Sequence, residues 1–180
     1  MGRVLGLMCS ATGGVLGVRE GLVEPAVARG WTVAITLTPN AFTWLEAVGE
    51  VERLRGLTGL PVRSASRLPT EPRPHPVVDC YLWAPASANT VAKLALGLGD
   101  NQALTTVSEA IGMATPVVVF PRVNAAHARH PAWDGHIDAL RAGGVELVYG
   151  ADVWPLPEAR ADEGELPWDL VLERVEHVMA

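Results

Sequence analysis

Residues 4–14 read VLGLMCSATGG, and this stretch decides the fold. Its first six residues, Val4 to Cys9, form an uninterrupted apolar run, and a turn with two glycines follows. Such a run is typical of a strand that is buried on both faces of a parallel sheet. Four further strands are predicted, at Thr32–Leu37, Val77–Trp83, Pro116–Phe120 and Val145–Tyr149. Helices are predicted between and after them, at residues 15–29, 41–48, 93–96, 104–111, 137–142 and 168–179.

The alternation of strands with helices predicts an α/β fold. We expect a Rossmann-like, flavodoxin-type α/β/α arrangement of three layers, built on a parallel sheet of five or six strands. The length of 180 residues predicts one domain that covers residues 1–180. Residues 61–76 hold five prolines and are predicted to form a loop. Residues 151–166 are polar and contain proline, which predicts a flap or a surface loop.

The composition excludes several classes of protein. Hydrophobic residues make up 49% of the chain and charged residues 19%, which excludes a disordered chain. The formal charge of −6 argues against a nucleic acid partner, because phosphates require a basic surface. No apolar stretch approaches the roughly 18–20 residues of a membrane span, so we expect a cytoplasmic protein with no membrane partner. Cys9 and Cys80 lie in apolar runs and are predicted to be buried free thiols.

The predicted strands end in loops that suit a small phosphate-bearing ligand. These loops are rich in small, hydroxyl and amide residues, and they are Ser10–Gly14, Thr38–Asn40, Ala84–Thr90 and Pro121–Asn124. Ligands of open parallel sheets bind beyond the carboxyl ends of the strands, where helix N–H groups hold a phosphate. Each loop taken alone could also be an ordinary helix cap. The glycine spacing of a dinucleotide site is absent and Thr38 stands where an acidic residue would hold a ribose, which favours a mononucleotide over NAD.

Residues 85–90 read PASANT, and this segment resembles the same motif of the homo-oligomeric flavin-containing cysteine decarboxylases. That family includes phosphopantothenoylcysteine decarboxylase and the epidermin-type peptidyl-cysteine decarboxylases. Further segments resemble the family in the same order over roughly residues 4–150. They are the turn at Ser10–Gly14, the residues Thr38, Ala41 and Trp44, the stretch 97–106 and the segment Pro121–Asn124, where Val123 replaces a methionine.

The resemblance implies an FMN cofactor and assigns residues to it. Ser10, Thr12, Gly13 and Thr38 are expected to hold the phosphate or the ribityl chain. Ser87, Ala88, Asn89 and Thr90 are expected to line the flavin, Trp44 to pack on its ring system, and Thr105 to be a further cofactor ligand. A core tryptophan and a helix cap are the alternatives for Trp44 and Asn89. The resemblance also implies a homo-oligomer, a trimer or a dodecamer, with the flavin at a subunit interface.

The catalytic residues match the family less closely. Asn124 is expected to hold the substrate carboxylate. The family's histidine precedes the PASANT proline by fourteen residues, and that position is Glu71. His75 lies four residues closer and is the candidate base. No cysteine follows Cys80, which disfavours the phosphopantothenoyl activity.

The predicted function is oxidative decarboxylation of a cysteine-like substrate, either the C-terminal residue of a peptide or a small molecule. The alternative is a flavin-binding protein or subunit partner that has lost catalysis, which Glu71 favours. Flavin prenyl transfer is a third possibility, supported by Arg122 alone. Arg122 and Arg129 are candidate anchors for a carboxylate or phosphate, with plain solvent exposure as the alternative. His127 and His130 have a spacing that suits a metal but lack a third ligand, so no metal site is predicted.

Overall fold

The computed structural model describes residues 2–151, 153–161 and 164–180. Its five strands form one sheet in the order β2-β1-β3-β4-β5, and every pairing is parallel. The strands are β1 Val4–Cys9, β2 Thr32–Leu37, β3 Cys80–Ala86, β4 Val117–Pro121 and β5 Glu146–Leu147. This is the strand order of flavodoxin-type doubly wound proteins, and it reverses between β1 and β3. The predicted fold class is therefore confirmed.

Eight α-helices connect and flank the described strands. They are α1 Glu24–Ala28, α2 Pro39–Ala47, α3 Glu50–Thr58, α4 Ala88–Ala95, α5 Gln102–Gly112, α6 Ala125–Ala128, α7 Trp133–Ala142 and α8 Trp168–Val178. The predicted helix over residues 15–29 is divided into a 3-10 turn at Val15–Gly17, a π turn at Arg19–Val23 and α1. Pro25 is the second residue of α1, which directly follows the π turn.

Buried side chains pack on both faces of the sheet. Leu5, Leu7 and Cys9 of β1 contact one cluster, to which α1, α2, α3 and α8 contribute. Met8 belongs to the other cluster, to which α4, α5 and α7 contribute. This alternation along β1 follows from the two-residue period of a strand. Because both faces are covered here, the strand sequence is apolar throughout, as the first stretch of sequence indicated.

β3 differs from the sequence-based prediction at both of its ends. β3 begins at Cys80 rather than Val77, whose side chain is 82% exposed. β3 also continues through Pro85, where the predicted strand stopped. The pairing of β3 with β4 shifts register between Trp83 and Ala86, and such an irregularity accommodates a proline. The helix α3, which buries Val51 and Leu54, has no counterpart among the predicted helices.

The buried carboxylate of Glu50 joins the start of α3 to Arg19, in the connection between β1 and β2. Glu50 is 7% exposed and accepts hydrogen bonds from Arg53 at 2.5 Å and from Arg19 at 2.9 Å. Burial alone would raise the pKa of Glu50, but the hydrogen bonds and charges of Arg53 and Arg19 hold that pKa below its ordinary value. The ion pairs therefore stabilise the folded state at neutral pH.

The last part of the connection from β2 to β3 crosses one face of the sheet without a helix. After α3 ends, residues 59–79 return to β3 as a loop that includes the predicted loop at 61–76, and Arg63 forms a single parallel bridge with Thr36. The Arg63 N–H group donates to the Ile35 carbonyl at 3.0 Å, and the Leu37 N–H group donates to the Arg63 carbonyl at 2.7 Å. Because α2 and α3 pack in the cluster on the α1 face, the opposite face of β1 and β2 is covered here by loop residues.

Across the described part of the chain, no helix is both long enough and apolar enough to cross a bilayer.

Candidate functional site

Three backbone hydrogen bonds join the carboxyl ends of neighbouring strands. The Thr38 N–H group donates to the Cys9 carbonyl at 3.0 Å, which joins the end of β2 to β1. The Ser10 N–H group donates to the Pro85 carbonyl at 2.9 Å. The Arg122 N–H group donates to the Ala86 carbonyl at 2.7 Å, which joins β4 to β3. The four predicted site loops therefore lie along one edge of the sheet, where its strand order reverses.

A buried hydrogen-bond network fixes the turn after β1 against the start of α4. The Trp83 Nε1–H group donates to Ser10 Oγ at 3.0 Å, and Ser10 Oγ lies 2.7 Å from Thr90 Oγ1. The Ser87 hydroxyl donates to Thr90 Oγ1 at 3.1 Å. Ser10 and Thr90 are only 2% and 3% exposed. Their buried hydroxyls are hydrogen-bonded, as a low-dielectric interior requires.

One hydroxyl proton of this network has no acceptor among the described residues. Ser10 and Thr90 share a single hydrogen bond, so only one of their two protons is used in it. The roles of Ser10 and Thr90 as direct cofactor ligands stay predictions, because the network equally well makes them positioning residues.

Two helix N-termini meet at the same edge. The Thr38 hydroxyl oxygen accepts from the Ala41 N–H group and begins α2, and Ser87 accepts from the Thr90 N–H group and begins α4. Neither first turn contains an acidic residue. The unsatisfied N–H groups and the helix dipoles favour an anion here. This donor set fits the phosphate of a mononucleotide.

The turn that contains Thr12 and Gly13 packs beneath the segment before α8. Gly14 has φ +83°, a left-handed conformation that favours glycine. A Cβ atom at Gly14 would lie 2.0 Å from Leu166 Cδ1, so only a glycine fits beneath that side chain. Leu166 thereby holds the turn in place beside β1.

The remaining predicted flavin contacts are exposed or half-buried. Trp44 of α2 is 50% exposed, which excludes the alternative of a core tryptophan. Ala88 and Asn89 lie in the first turn of α4, and Asn89 is exposed. The Thr105 hydroxyl donates to the carbonyls of Gly99 and Asn101 near the start of α5. Their cofactor contacts stay predictions.

Asn124 lies in a cavity of about 160 Å³ beside this edge. Its Oδ1 atom accepts from the His127 N–H group at 3.0 Å and caps α6. Its amide nitrogen has no hydrogen-bond partner in the described part of the chain, so it is available as a donor. The cavity is also lined by Thr12, Arg122, Val123, His127, Pro157, Glu158, Arg160 and Ala161.

The segment predicted as a flap forms one wall of that cavity. The Ala125 N–H group donates to the Pro157 carbonyl at 2.8 Å, and Arg129 pairs with Glu158 at 3.3 Å. The hydrogen bond and charge of Arg129 lower the pKa of Glu158. Within residues 151–166, Asp152, Asp162 and Glu163 lie outside the described residues.

The two candidate arginines differ in their surroundings. Arg122 is 5% exposed and lies in the cavity of Asn124, so plain solvent exposure does not apply to it. The Arg129 side chain is 63% exposed, which agrees with the alternative of plain solvent exposure. A buried guanidinium beside an amide donor is suited to bind a carboxylate.

The structure does not bring His75 together with Asn124. His75 lines a different cavity, on the face of the sheet, and its Nε2 atom lies 2.8 Å from the Pro61 carbonyl oxygen. Glu71 is exposed and accepts from the Leu68 N–H group. The role of His75 as a base stays a prediction, and His127 is the histidine that shares the cavity of Asn124.

Neither the cysteines nor the histidines form a reactive or metal-binding group in the described part. Burial raises the pKa of the Cys80 thiol to about 12 and that of Cys9 further, so both thiols are protonated at neutral pH. Both are buried and free, as predicted. His130 accepts from the Ala132 N–H group. Among the described residues, no cluster of three or more His, Cys, Asp or Glu side chains is placed to hold a metal ion.

Sequence reasoning missed Trp83 and the flap residues of the Asn124 cavity. Trp83 is the last residue of the predicted strand Val77–Trp83, and nothing in the sequence analysis assigns it to the site, although a buried indole N–H group requires an acceptor. That requirement was the available signal for its contact with Ser10. Pro157 and Glu158 carry no such signal, because their contacts with Ala125 and Arg129 depend on the tertiary fold.

An open doubly wound sheet whose carboxyl edge is rich in N–H and hydroxyl groups is the architecture of α/β proteins that bind ligands beyond the ends of their strands. The family model described as Flavoprotein matches residues 20–178. The chain therefore belongs to the flavoprotein family, and a flavin is its expected cofactor.

Curated relatives match shorter stretches. A cysteine/cysteine sulfinic acid decarboxylase from an unknown prokaryotic organism is 36% identical over 70 residues, which are 39% of this chain and 19% of that protein. The coenzyme A biosynthesis bifunctional protein CoaBC of Thermococcus kodakarensis is 32% identical over 87 residues, 48% of this chain and 19% of the relative. The chain thus spans about a fifth of the length of these relatives.

The fold is shared with solved decarboxylase structures. The FMN-dependent cysteine decarboxylase TvaF from thioviridamide biosynthesis superposes with a TM-score of 0.70 at 24% identity. The superposition covers 98% of each chain. At this identity the likeness establishes the fold alone.

Proposed function

We propose that this protein binds FMN at the carboxyl edge of its sheet and catalyses oxidative decarboxylation of a cysteine-like substrate. The substrate is the C-terminal cysteine of a peptide or a small molecule that carries the same thiol and carboxylate. Cysteine decarboxylases among the sequence relatives, and an FMN-dependent one among the solved structures, support this reaction. The fit of the edge to a phosphate supports FMN.

When bound, FMN supplies the two-electron oxidation that such a reaction requires. The free N–H groups in the first turns of α2 and α4 would hold its phosphate, together with the turn at Thr12 and Gly13. Trp44, which is half exposed, packs on the ring system. Ser10 and Thr90 keep β1 and α4 in register for these contacts.

The observation that carries the proposal is the cavity in which the Asn124 amide nitrogen lies beside Arg122 and Thr12. The amide nitrogen donates to the substrate carboxylate, in a cavity that Arg122 also lines. Asn124 thus orients the carboxylate beside the cofactor edge.

The alternative is a flavin-binding protein without catalysis. Its support is the position of His75, which lines a cavity other than that of Asn124, and the presence of Glu71 at the position of the family's histidine. In that case the protein binds FMN and serves as a subunit partner.

Absorbance and mass spectrometry test the proposal. The purified protein, after incubation with FMN and gel filtration, should retain a flavin spectrum. Peptides that end in cysteine should then lose CO₂ and two hydrogens, while the same peptides with a C-terminal amide should not change. A retained flavin with no reaction across a broad peptide panel supports the alternative, and a colourless protein refutes both.

We also propose a homo-oligomer, a trimer or a dodecamer, with the flavin at a subunit interface. Its support is the exposure of large apolar side chains, including Trp44, Leu96 and Leu98. Light scattering coupled to gel filtration measures the mass, and a monomer at micromolar concentration would refute this part of the proposal.

A further inference from the structure

A second cavity, of about 510 Å³, lies on the face of β1 and β2 that the β2–β3 connection crosses as a loop. Its floor consists of Gly6, Met8, Ala34 and Thr36. The loop residues 63–78 and the helix α5 form its walls. Its volume is within the range of small-molecule sites. None of Ser10, Thr12, Thr38, Ser87 or Asn124 lines it, so it is separate from the proposed cofactor edge.

A glycine in the floor shapes the cavity. A Cβ atom at Gly6 would lie 2.6 Å from Cδ1 of Tyr81, so the absence of a side chain lets the tyrosine ring lie across β1. Tyr81 is half-buried and lines the cavity together with Met8 and Val78. One side of the cavity therefore offers an aromatic and apolar surface to a ligand.

The other side of the cavity is positively charged. Arg63, Arg67 and Arg73 line it from the loop, and Glu109 is the carboxylate among its described lining residues. Arg67 donates through one terminal nitrogen to the carbonyls of Leu68 and Glu71, which are neutral acceptors.

The three arginines differ in how far their charge is balanced. Arg63 lies 4.0 Å from the Glu71 carboxylate. Arg73 makes no ion pair or hydrogen bond within the described residues. Arg67 and Arg73 are exposed at the rim of the cavity and have no carboxylate partner among the described residues, so either guanidinium can pair with an anionic group of a ligand in the cavity.

We propose that this cavity binds a small amphipathic anion. A planar apolar body lies against Tyr81 and Met8, and a carboxylate, sulfonate or phosphate is held by Arg67 and Arg73. The proposal does not depend on the decarboxylase function, because the two cavities have no lining residue in common.

Anilinonaphthalene sulfonate is a suitable probe because it combines an aromatic body with one anionic group. Its fluorescence is titrated against protein that has been saturated with FMN. We expect saturable binding of one probe per chain. Arg73→Glu, which breaks no hydrogen bond of the described structure, should weaken the affinity by about tenfold or more. Thr106→Trp, which fills the cavity from α5, should abolish the binding.

Arg141→Glu is the matched control, since Arg141 is exposed on α7 and does not line the cavity. It should bind the probe as the unmodified protein does. Equal affinity of the Arg73→Glu and Arg141→Glu proteins overturns the proposal, as does displacement of the probe by FMN. Loss of binding as the protein concentration rises also overturns it, because a second copy of the chain then covers this face. Thermal melting verifies that every variant is folded.

Discussion

Replacing Asn124 by aspartate separates its two roles, because the two side chains differ by one donor group. Asparagine and aspartate are about equally good N-caps, so the aspartate of this variant still accepts from the His127 N–H group and α6 is retained. The variant loses the amide donor and adds a negative charge where the substrate carboxylate would bind. We therefore expect Asn124→Asp to fold normally, keep its flavin and lose turnover.

The expected loss of activity follows from the one hydrogen bond that the variant cannot make to the substrate carboxylate. A hydrogen bond to a charged group contributes about 1.5–3 kcal/mol, which corresponds to roughly 10- to 150-fold in kcat/KM. Repulsion between two carboxylates in the same small cavity adds to the loss. Asn124→Ala is the companion variant, since it removes the donor and the cap together. Its stability should fall by about 1 kcal/mol as well.

Turnover is measured by the mass change of a peptide that ends in cysteine, flavin content by absorbance, and stability by thermal melting. The expected pattern is unchanged flavin content in both variants, unchanged melting temperature in Asn124→Asp alone, and loss of turnover in both. If Asn124→Asp keeps full activity, Asn124 does not bind the carboxylate. If the variant is colourless and misassembled, the side chain is structural.

Three further predictions concern the cofactor edge and the fold. Thr38→Val removes the N-cap of α2 and should weaken FMN binding, measured by quenching of flavin fluorescence; unchanged affinity would place the phosphate elsewhere. The arginine partners hold the pKa of Glu50 below its ordinary value of 4.5, so the ionised carboxylate stabilises the folded state at neutral pH and this stabilisation is lost as the pH falls below 4.5. Glu50→Gln should remove this stabilisation. Acid unfolding curves of variant and parent should therefore converge at low pH, and a constant difference would contradict the assignment. Gly14→Ala should cost about 2–4 kcal/mol by strain and overpacking, whereas Gly30→Ala, which also has a positive φ but an open surrounding, should cost only about 1 kcal/mol. Thermal melting compares the two, and equal losses would exclude the steric contact.

The sequence predicts the central strands well because both of their faces are buried. β1 and β2 have the bounds that their apolar runs indicate. The same reasoning misplaces the start of β3, because Val77 and Val78 are apolar but precede the strand. α3 has only Val51 and Leu54 as buried apolar positions among charged residues, which is too weak a period to identify a helix.

The candidate site is predicted where local rules apply and missed where they do not. Strand ends and helix caps follow from short sequence patterns, which is why Thr38 and Ser87 are found at helix starts. The contact between Asn124 and the flap depends on which distant segment packs there, and no local pattern encodes that. His75 illustrates the same limit, since its proximity to Pro85 along the chain did not place it in the cavity of Asn124.

The backbone hydrogen bonds that join the strand ends have a consequence for how a ligand enters and leaves. Thr38, Ser10 and Arg122 use their own amides to fix the edge to the neighbouring strands, so its geometry forms together with the sheet. The conformational entropy of this edge is lost during folding rather than during binding. The proposed cofactor would therefore meet an edge that is already formed in the folded protein, and its release would require no refolding of that edge.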